Sequence, residues 1–246
     1  ITAPKIMNDE DQLIAGWYGK IPSLGDFASR RLPTNFINTW DSWLQHSMTA
    51  SREQLKERWL NLYLTGPIWR FILMPDICGD EIWAGILMPS VDNVGRYFPL
   101  TIAIPLAPRP GMMLAAYSAQ TWYAALEQHA LASLNINTFP EDLDRCLAKH
   151  PFPASLTDIK STPIQELLTW WQTTPQATHK TLLLPTENTV TELFNATTEE
   201  LLMTAGSGKS IWWKVSPYTG KVQLNCFTGL PPEDYFSALL GDDVLQ

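Results

Sequence analysis

The stretch MPSVDNVGRYFPL, from Met88 to Leu100, decides the fold, because it joins two apolar segments of strand length, Ile82 to Met88 and Leu100 to Leu106. An ordinary hairpin connection takes about two to five residues. This connection is longer, and it places the opposite charges of Asp92 and Arg96 beside aromatic side chains. Loops that present such groups on a rigid pair of strands often carry function. We therefore take this loop as the first candidate binding region.

Predicted helices and strands alternate on both sides of this strand pair. Strands are predicted at 13–20, 68–74, 81–88, 100–106 and 181–184, and a hairpin at 210–215 and 221–227. Helices are predicted to begin at Thr34 and, through a capping box, at Ser51, and to span 110–132, 142–149, 164–172, 198–204 and 232–240. This alternation predicts an α/β fold, with a mixed sheet of parallel and antiparallel strands and helices on both faces. We expect residues 1–12 to form an acidic, flexible lead-in and 13–246 to form a single α/β domain.

Composition and charge exclude several classes of partner. The chain has 246 residues and a net charge of −8, which argues against nucleic acid or an anionic membrane as the main partner. Its three cysteines are scattered, which does not fit a disulfide framework or a zinc site, so we expect a reducing compartment and no metal or cofactor. No apolar run reaches the roughly 18 residues of a membrane span, so we expect no integral membrane segment.

The segment Gly206 to Ser210 resembles a phosphate-binding P-loop but fails on spacing. That motif needs a glycine five residues before its Gly-Lys pair, and Met203 stands there. A helix is also predicted before the segment, capped by Thr197 and Glu200, and a strand after it. We interpret the segment as a turn from helix to strand.

Ser90 and Asp92 suggest a nucleophile and its orienting carboxylate, but the sequence supplies no arrangement for catalysis. A serine hydrolase needs a histidine within reach, and typically a Gly-x-Ser-x-Gly elbow. No such elbow occurs, and the four histidines are isolated. We therefore expect a protein that is not an enzyme, with a hydrolase that uses Ser90 as the weakest hypothesis.

Two interpretations of the loop charges stay open. Asp92 and Arg96 form either a loop ion pair of small energetic worth or a planar donor fork aimed at a partner. Asp26, Arg30 and Arg31 leave the same choice open. Asp26 either bonds within its own turn or faces a partner, and the two arginines either pair with Asp92 or face a ligand. The candidate partner-binding residues are polar or aromatic side chains in or beside these loops, or on the strand predicted at 68–74: Asp26, Arg30, Arg31, Trp69, Arg70, Ser90, Asp92 and Arg96.

Several segments together resemble the TagF (ImpM) family of proteins associated with type VI secretion. The matching stretches are GWYGKIPS with GDF at 16–27, RRLP at 30–33, WDSWL at 40–44, SR at 51–52, PIWRF at 67–71 and the loop at 88–100. Two C-terminal stretches match more weakly, SIWW at 210–213 and GLP at 229–231. The resemblance is strongest over residues 14–106.

The resemblance implies a bacterial cytoplasmic accessory protein, folded as a three-layer α/β/α sandwich. In that family the role is post-translational restraint of the secretion apparatus, linked to a scaffold with a forkhead-associated domain. Some relatives carry a fused phosphatase domain, and we expect no phosphatase chemistry from the residues of this chain. The resemblance supplies no catalytic motif and does not say which residues contact the partner.

Two further hypotheses remain. In one variant of the binding function, the acidic residues at 9–11, or Glu199 and Glu200 beside Thr197 and Thr198, mimic or carry a phosphothreonine-type ligand. The alternative function is a small-molecule or nucleotide-sensing α/β module that uses the 21–31 and 89–99 loops.

Overall fold

The computed structural model describes residues 13–109, 111–153, 166, 187–216 and 219–241. Within these residues one seven-stranded sheet forms, with the order β2-β1-β5-β4-β3-β6-β7. The strands are β1 Gly16–Gly19, β2 Ala28–Arg30, β3 Trp69–Leu73, β4 Ile82–Met88, β5 Leu100–Leu106, β6 Lys209–Val215 and β7 Val222–Thr228. The strands predicted at 68–74, 81–88 and 100–106 and the 210–227 hairpin are confirmed.

Every pairing between these strands is antiparallel, so the predicted mixture of parallel and antiparallel strands is wrong for the described sheet. The connections from β3 to β4 and from β4 to β5 contain no helix, and consecutive neighbouring strands joined without a crossover helix pair antiparallel. The helical segments connect strands that are not neighbours, β2 to β3 and β5 to β6. No helix therefore links two adjacent strands of the described sheet into a parallel β-α-β unit. The broader prediction of an α/β fold is confirmed.

The described helices fall into an N-terminal and a later group. The helices are α1 Thr34–Leu55, α2 Trp59–Leu64, α3 Met112–Ser118, α4 Gln120–Ala132, α5 Pro140–Ala148, α6 Glu187–Gly206 and α7 Phe236–Leu239. A 3-10 turn, Lys56–Arg58, separates α1 from α2, and another, Glu233–Tyr235, precedes α7. None of the described helices has the length and apolarity that a membrane crossing requires.

Alternate residues of β4 enter two different apolar clusters. Trp83 and Leu87 pack with α1 and α2, whereas Ala84 and Ile86 pack with α4 and α5. Because successive side chains of a strand point to opposite faces, the two clusters lie on opposite faces of the sheet.

The helix that was predicted to begin at Ser51 does not begin there. Helix α1 runs through Ser51 to Leu55, and the Ser51 side chain is fully buried. Its hydroxyl donates to the carbonyl of Met48 at 2.9 Å and accepts the indole N–H of Trp59 at 2.9 Å. The hydroxyl therefore holds α2 against α1 instead of capping a new helix.

Two other helix predictions differ in extent. The single helix predicted over 110–132 is two helices, because the backbone of Ala119 (ψ 44°) leaves the helical range between α3 and α4. Helix α6 begins at Glu187, so Thr197 lies inside it and is not a cap. It ends at Gly206 and β6 begins at Lys209, which confirms the turn from helix to strand. Glu166 is helical, and the rest of 164–172, the strand predicted at 181–184 and the 1–12 lead-in lie outside the described residues.

Candidate functional site

The two candidate loops lie side by side where β1 ends and β5 begins. The backbone N–H of Asn93 donates to the carbonyl of Leu24 at 2.9 Å. The hydroxyl of Ser90 donates to the carbonyl of Lys20 at 2.7 Å. We call residues 20–27 and 89–99 the joined loops. Two stretches that are distant in the sequence therefore lie side by side.

Asp92 lies at the centre of the joined loops. Its Oδ2 accepts from Lys20 Nζ at 2.5 Å and from Arg96 Nε at 2.7 Å. Its Oδ1 accepts the backbone N–H groups of Arg96 at 2.8 Å and Val94 at 3.1 Å. Burial alone would raise the pKa of Asp92, but the hydrogen bonds from Lys20, Arg96 and Val94 outweigh it and hold that pKa well below its usual range. The carboxylate therefore stays charged at neutral pH and anchors both loops.

The local sequence forms a closed turn around this carboxylate. Asp92 N–H donates to the carbonyl of Arg96, and Gly95 N–H donates to the carbonyl of Asp92, both at 3.1 Å. Gly95 adopts φ +82°, a conformation that glycine reaches without a Cβ clash. Val91 and Tyr97 pair as an isolated bridge below the turn. The loop is thus a small hairpin that extends beyond β4 and β5.

A second glycine lets the two loops approach. Gly19 has φ +137°, and a Cβ there would lie 2.1 Å from the carbonyl oxygen of Pro99. Only glycine fits, because any side chain would collide with the backbone of the second loop.

The outer surface of the joined loops is apolar with charges beside it. The ring of Phe27 packs edge-on against Phe98, with centroids 4.8 Å apart, and Lys20 Nζ lies 4.6 Å from its centroid. Phe27 is nevertheless 43% exposed, and Val94 is 68% exposed. We call the exposed side chains of Asp26, Phe27, Val94 and Arg96 the loop face. It joins two apolar groups, one carboxylate and one guanidinium on a fixed backbone.

Arg96 takes part in both interpretations that the sequence left open. Its guanidinium bonds to Asp92 and to the carbonyl of Gly25, which is a structural role. Its side chain is also 57% exposed, so one edge of the planar group faces solvent. Asp92, in contrast, is buried, and it can affect a partner only through the loops that it positions.

Arg30 and Arg31 pair with Asp144 of α5, not with Asp92. Arg31 Nη2 lies 3.0 Å and Arg30 Nε 3.6 Å from the Asp144 carboxylate. The indole N–H of Trp17 donates to the same carboxylate at 2.8 Å. These arginines therefore fasten β2 and the residue after it to α5, and both stay partly exposed.

Trp69 and Arg70 lie on β3 and are buried. The indole N–H of Trp69 donates to the carbonyl of Leu239 at 2.7 Å. Arg70 binds Glu127 through Nε at 2.6 Å and Nη2 at 2.9 Å. Their contacts are to helices α7 and α4, so the structure separates them from the loop face.

The environment of Ser90 does not resemble that of a nucleophile. Its side chain is buried, and its hydroxyl is used by the carbonyl of Lys20. Of the described histidines, His46 lies near Glu233, and His129 and His150 contact each other at 3.0 Å. No described residues form a group of three or more ligands that could hold a metal ion.

Sequence reasoning missed three residues that build the site. Lys20 is 3% exposed and supplies the cation for Asp92. The hydroxyl of Tyr63 bridges the backbone of Ser90, donating to its carbonyl at 2.8 Å and accepting its N–H at 3.0 Å. Asp144 joins the arginine pair. The sequence could have indicated Lys20, because it is a lysine at the end of a mostly apolar predicted strand. The roles of Tyr63 and Asp144 depend on tertiary packing and have no local signal.

Comparison with known proteins identifies similar sequences and structures. A family model described as the TagF N-terminal domain, type VI secretion system-associated, matches residues 16–150. The crystal structure of PA0076 from Pseudomonas aeruginosa PAO1 superposes with a TM-score of 0.68 at 30% sequence identity. That match covers 92% of this chain and 93% of the other. None of the curated proteins matches the chain.

Proposed function

Because the chain belongs to the TagF N-terminal domain family and is a type VI secretion system-associated protein, we propose that it is a non-enzymatic regulator that restrains assembly of the apparatus. It acts after translation, in the cytoplasm, by binding a scaffold protein that carries a forkhead-associated domain. The loop face is the contact surface in this proposal. The protein works by holding its partner and makes or breaks no covalent bond.

The observation that carries the proposal is the rigid support beneath an exposed apolar surface. Lys20, Asp92 and Arg96 fix the two loops to each other from below. Phe27 and Val94 remain exposed above them. A preorganised surface loses little conformational entropy when a partner binds, and aromatic and arginine side chains dominate the energy of many interfaces.

The environment of Ser90 supports the non-enzymatic part of the proposal. A hydroxyl that is buried and bonded to a carbonyl neither meets a substrate nor passes its proton to a base. Replacing Ser90 with alanine should leave restraint of secretion intact in cells if the protein folds normally.

The nucleotide-sensing alternative receives less support. Arg30 and Arg96, which would have bound phosphate groups, are engaged by Asp144 and Asp92. A cavity of about 340 Å³ does lie between α3 and α6, but its lining, which includes Met113, is mainly apolar. In the hypothesis of a phosphothreonine-type ligand, Thr198 is exposed on α6 whereas Thr197 is buried. We keep that hypothesis as a secondary one.

A capture experiment tests the proposal. The forkhead-associated scaffold protein of the same secretion system is immobilised and exposed to wild-type chain, to Val94→Glu and to Arg96→Ala. Leu131→Glu is the matched control, because Leu131 is 54% exposed on α4 and lies outside the joined loops. We expect both loop variants to be captured poorly and the control to be captured like wild type. Equal recovery of all four folded proteins would remove the loop face from the proposal.

We also infer that the domain is a three-layer α/β/α sandwich and that residues 13–246 form one unit. Two apolar clusters on opposite faces of one sheet, each completed by helices, support the layered arrangement.

A further inference from the structure

Among the described residues, β7 is the last strand of the sheet, and one of its long sides pairs with no other strand. It pairs with β6 over seven residues without a bulge, from Lys209 opposite Thr228 to Val215 opposite Val222. It ends the strand order, so its other side pairs with no described strand. Val222 is 58% exposed and Leu224 is 49% exposed.

The hydrogen bonds at both ends of the hairpin show which residues face the open edge. Ser216 N–H donates to the carbonyl of Lys221, and Gly229 N–H donates to the carbonyl of Gly208. In an antiparallel ladder, bonded pairs alternate with non-bonded pairs. Gln223 and the residues at 225 and 227 therefore bond to β6. The residues whose backbone N–H and C=O groups face outward are Val222, Leu224, Cys226 and Thr228, and no described residue bonds to those groups.

This edge lacks the features that usually keep edge strands apart. Natural proteins protect free edges with charged residues, proline, bulges or very short strands. The sequence of β7, VQLNCFT, contains no charge and no proline. The opposite edge, β2, has three residues and ends at Arg30, with Arg31 next. Of the two edges of the described sheet, only β2 is protected in this way.

We propose that β7 pairs antiparallel with β7 of a second copy of this chain, joining two sheets across a two-fold axis. A two-fold axis relates two identical strands in antiparallel orientation, so the strand edge complements itself. The outward-facing residues of both copies meet when Asn225 lies opposite Asn225 of the second copy. In that register Leu224 lies beside Cys226 of the other copy, which covers exposed apolar surface.

Charge favours a second copy as the occupant. The chain carries a net charge of −8, yet an uncharged β7 lets two copies approach without like charges on the paired strands. Lys221 stands at one end of β7. The ring contact between Phe227 and Tyr235, with centroids 5.1 Å apart, places the acidic turn Glu233–Tyr235 beside the other end. Antiparallel pairing brings the basic end of one copy to the acidic end of the other.

The oligomeric state in solution, measured by sedimentation equilibrium on the whole chain, tests the proposal. We expect wild type to dimerise and Leu224→Lys and Cys226→Pro to be monomeric. Proline at 226 removes an N–H that faces outward and leaves the bonds to β6 intact, so the fold should survive. Ser29→Lys, which adds the same charge at the β2 edge, should still dimerise. A wild-type chain that stays monomeric at high micromolar concentration overturns the proposal, even if the β7 variants lose capture of another protein.

A disulfide across the axis tests the register. In the Cys226→Ser background, Asn225→Cys should cross-link two copies on mild oxidation, because residues in a non-bonded pair have Cα atoms about 4.5 Å apart, within disulfide reach. Thr219→Cys in the same background is the control, since residue 219 lies in the hairpin turn away from the axis. Equal cross-linking of both variants would contradict the stated pairing.

Discussion

Lys20 Nζ lies 2.5 Å from Asp92 Oδ2, although the two residues are 72 positions apart in the sequence. The Lys20 side chain is 4% exposed and that of Asp92 is fully buried. A buried pair of this kind is costly to break, because removing one partner leaves the other charge uncompensated. The pair therefore ties the stability of the domain to the arrangement of its candidate binding surface.

Replacing Asp92 with asparagine should lower the free energy of unfolding by about 3–5 kcal/mol, the usual cost of breaking a buried pair. Urea unfolding followed by tryptophan fluorescence measures the change. Arg145→Gln is the control, because it breaks the exposed Arg145–Asp142 pair, and it should cost no more than about 1 kcal/mol. The double variant Lys20→Met with Asp92→Asn should recover part of the loss. A double variant less stable than the sum of both single changes would contradict the pairing argument.

The stability that Asp92 contributes should depend on pH and decrease in acid. Its pKa is lower in the folded than in the unfolded protein, so the contribution is complete above the unfolded value of about 3.9 and is lost as pH falls toward the folded value. The melting temperatures of wild type and Asp92→Asn should therefore differ at neutral pH and converge as pH falls below about 4. A constant difference across this range would show that the carboxylate charge is not the cause.

The environment of His129 should favour the neutral form of its ring in the folded protein. Burial, and then the charge of His150, lower the pKa of His129. His129 binds a proton more readily in the unfolded chain than in the folded protein. The folded state therefore loses stability as pH falls from about 6.5, the unfolded pKa, toward the lower folded pKa. In an NMR titration, His150→Gln should raise the pKa of His129 toward its ordinary value. An unchanged His129 titration would mean that the neighbouring ring has no electrostatic effect.

Gly95, in the joined loops, and Gly19, at the end of β1, should differ in their tolerance of replacement by alanine. Gly95 has φ +82°, and a Cβ there would meet only open space, so Gly95→Ala should cost about 1–2 kcal/mol from backbone strain alone. Gly19→Ala adds a collision with the carbonyl of Pro99 and should cost more. Thermal unfolding of both variants measures the difference. If Gly19→Ala proved the milder change, the close approach of the two loops would be wrong.

Local sequence patterns were sufficient where one physical preference dominated. The apolar runs of β3, β4 and β5 predicted three strands, because residues buried on both faces leave few other possibilities. The family resemblance over residues 14–106 agrees with the match over 16–150.

Predictions failed where a tertiary contact overrode a local signal. Ser51 carries a capping pattern, but its hydroxyl serves the indole of Trp59 inside a continuous helix. Arg30 and Arg31 pair with Asp144, which lies 113 positions beyond Arg31. No local sequence pattern predicts a partner at that distance. The prediction of a mixed sheet failed because the direction of pairing depends on which strands become neighbours. The periodicity of a single segment does not predict strand order.

The strand order also constrains how the chain is made. Strand β1 sits between β2 and β5, and β5 is synthesised only after Asp92 has been added to the chain. Domains generally fold as units during synthesis. Lys20 therefore lacks its partner until Asp92 has left the exit tunnel, and β1 lacks one of its two neighbours until β5 has followed. A pause in translation before that point would leave the nascent chain exposed to chaperones and proteases.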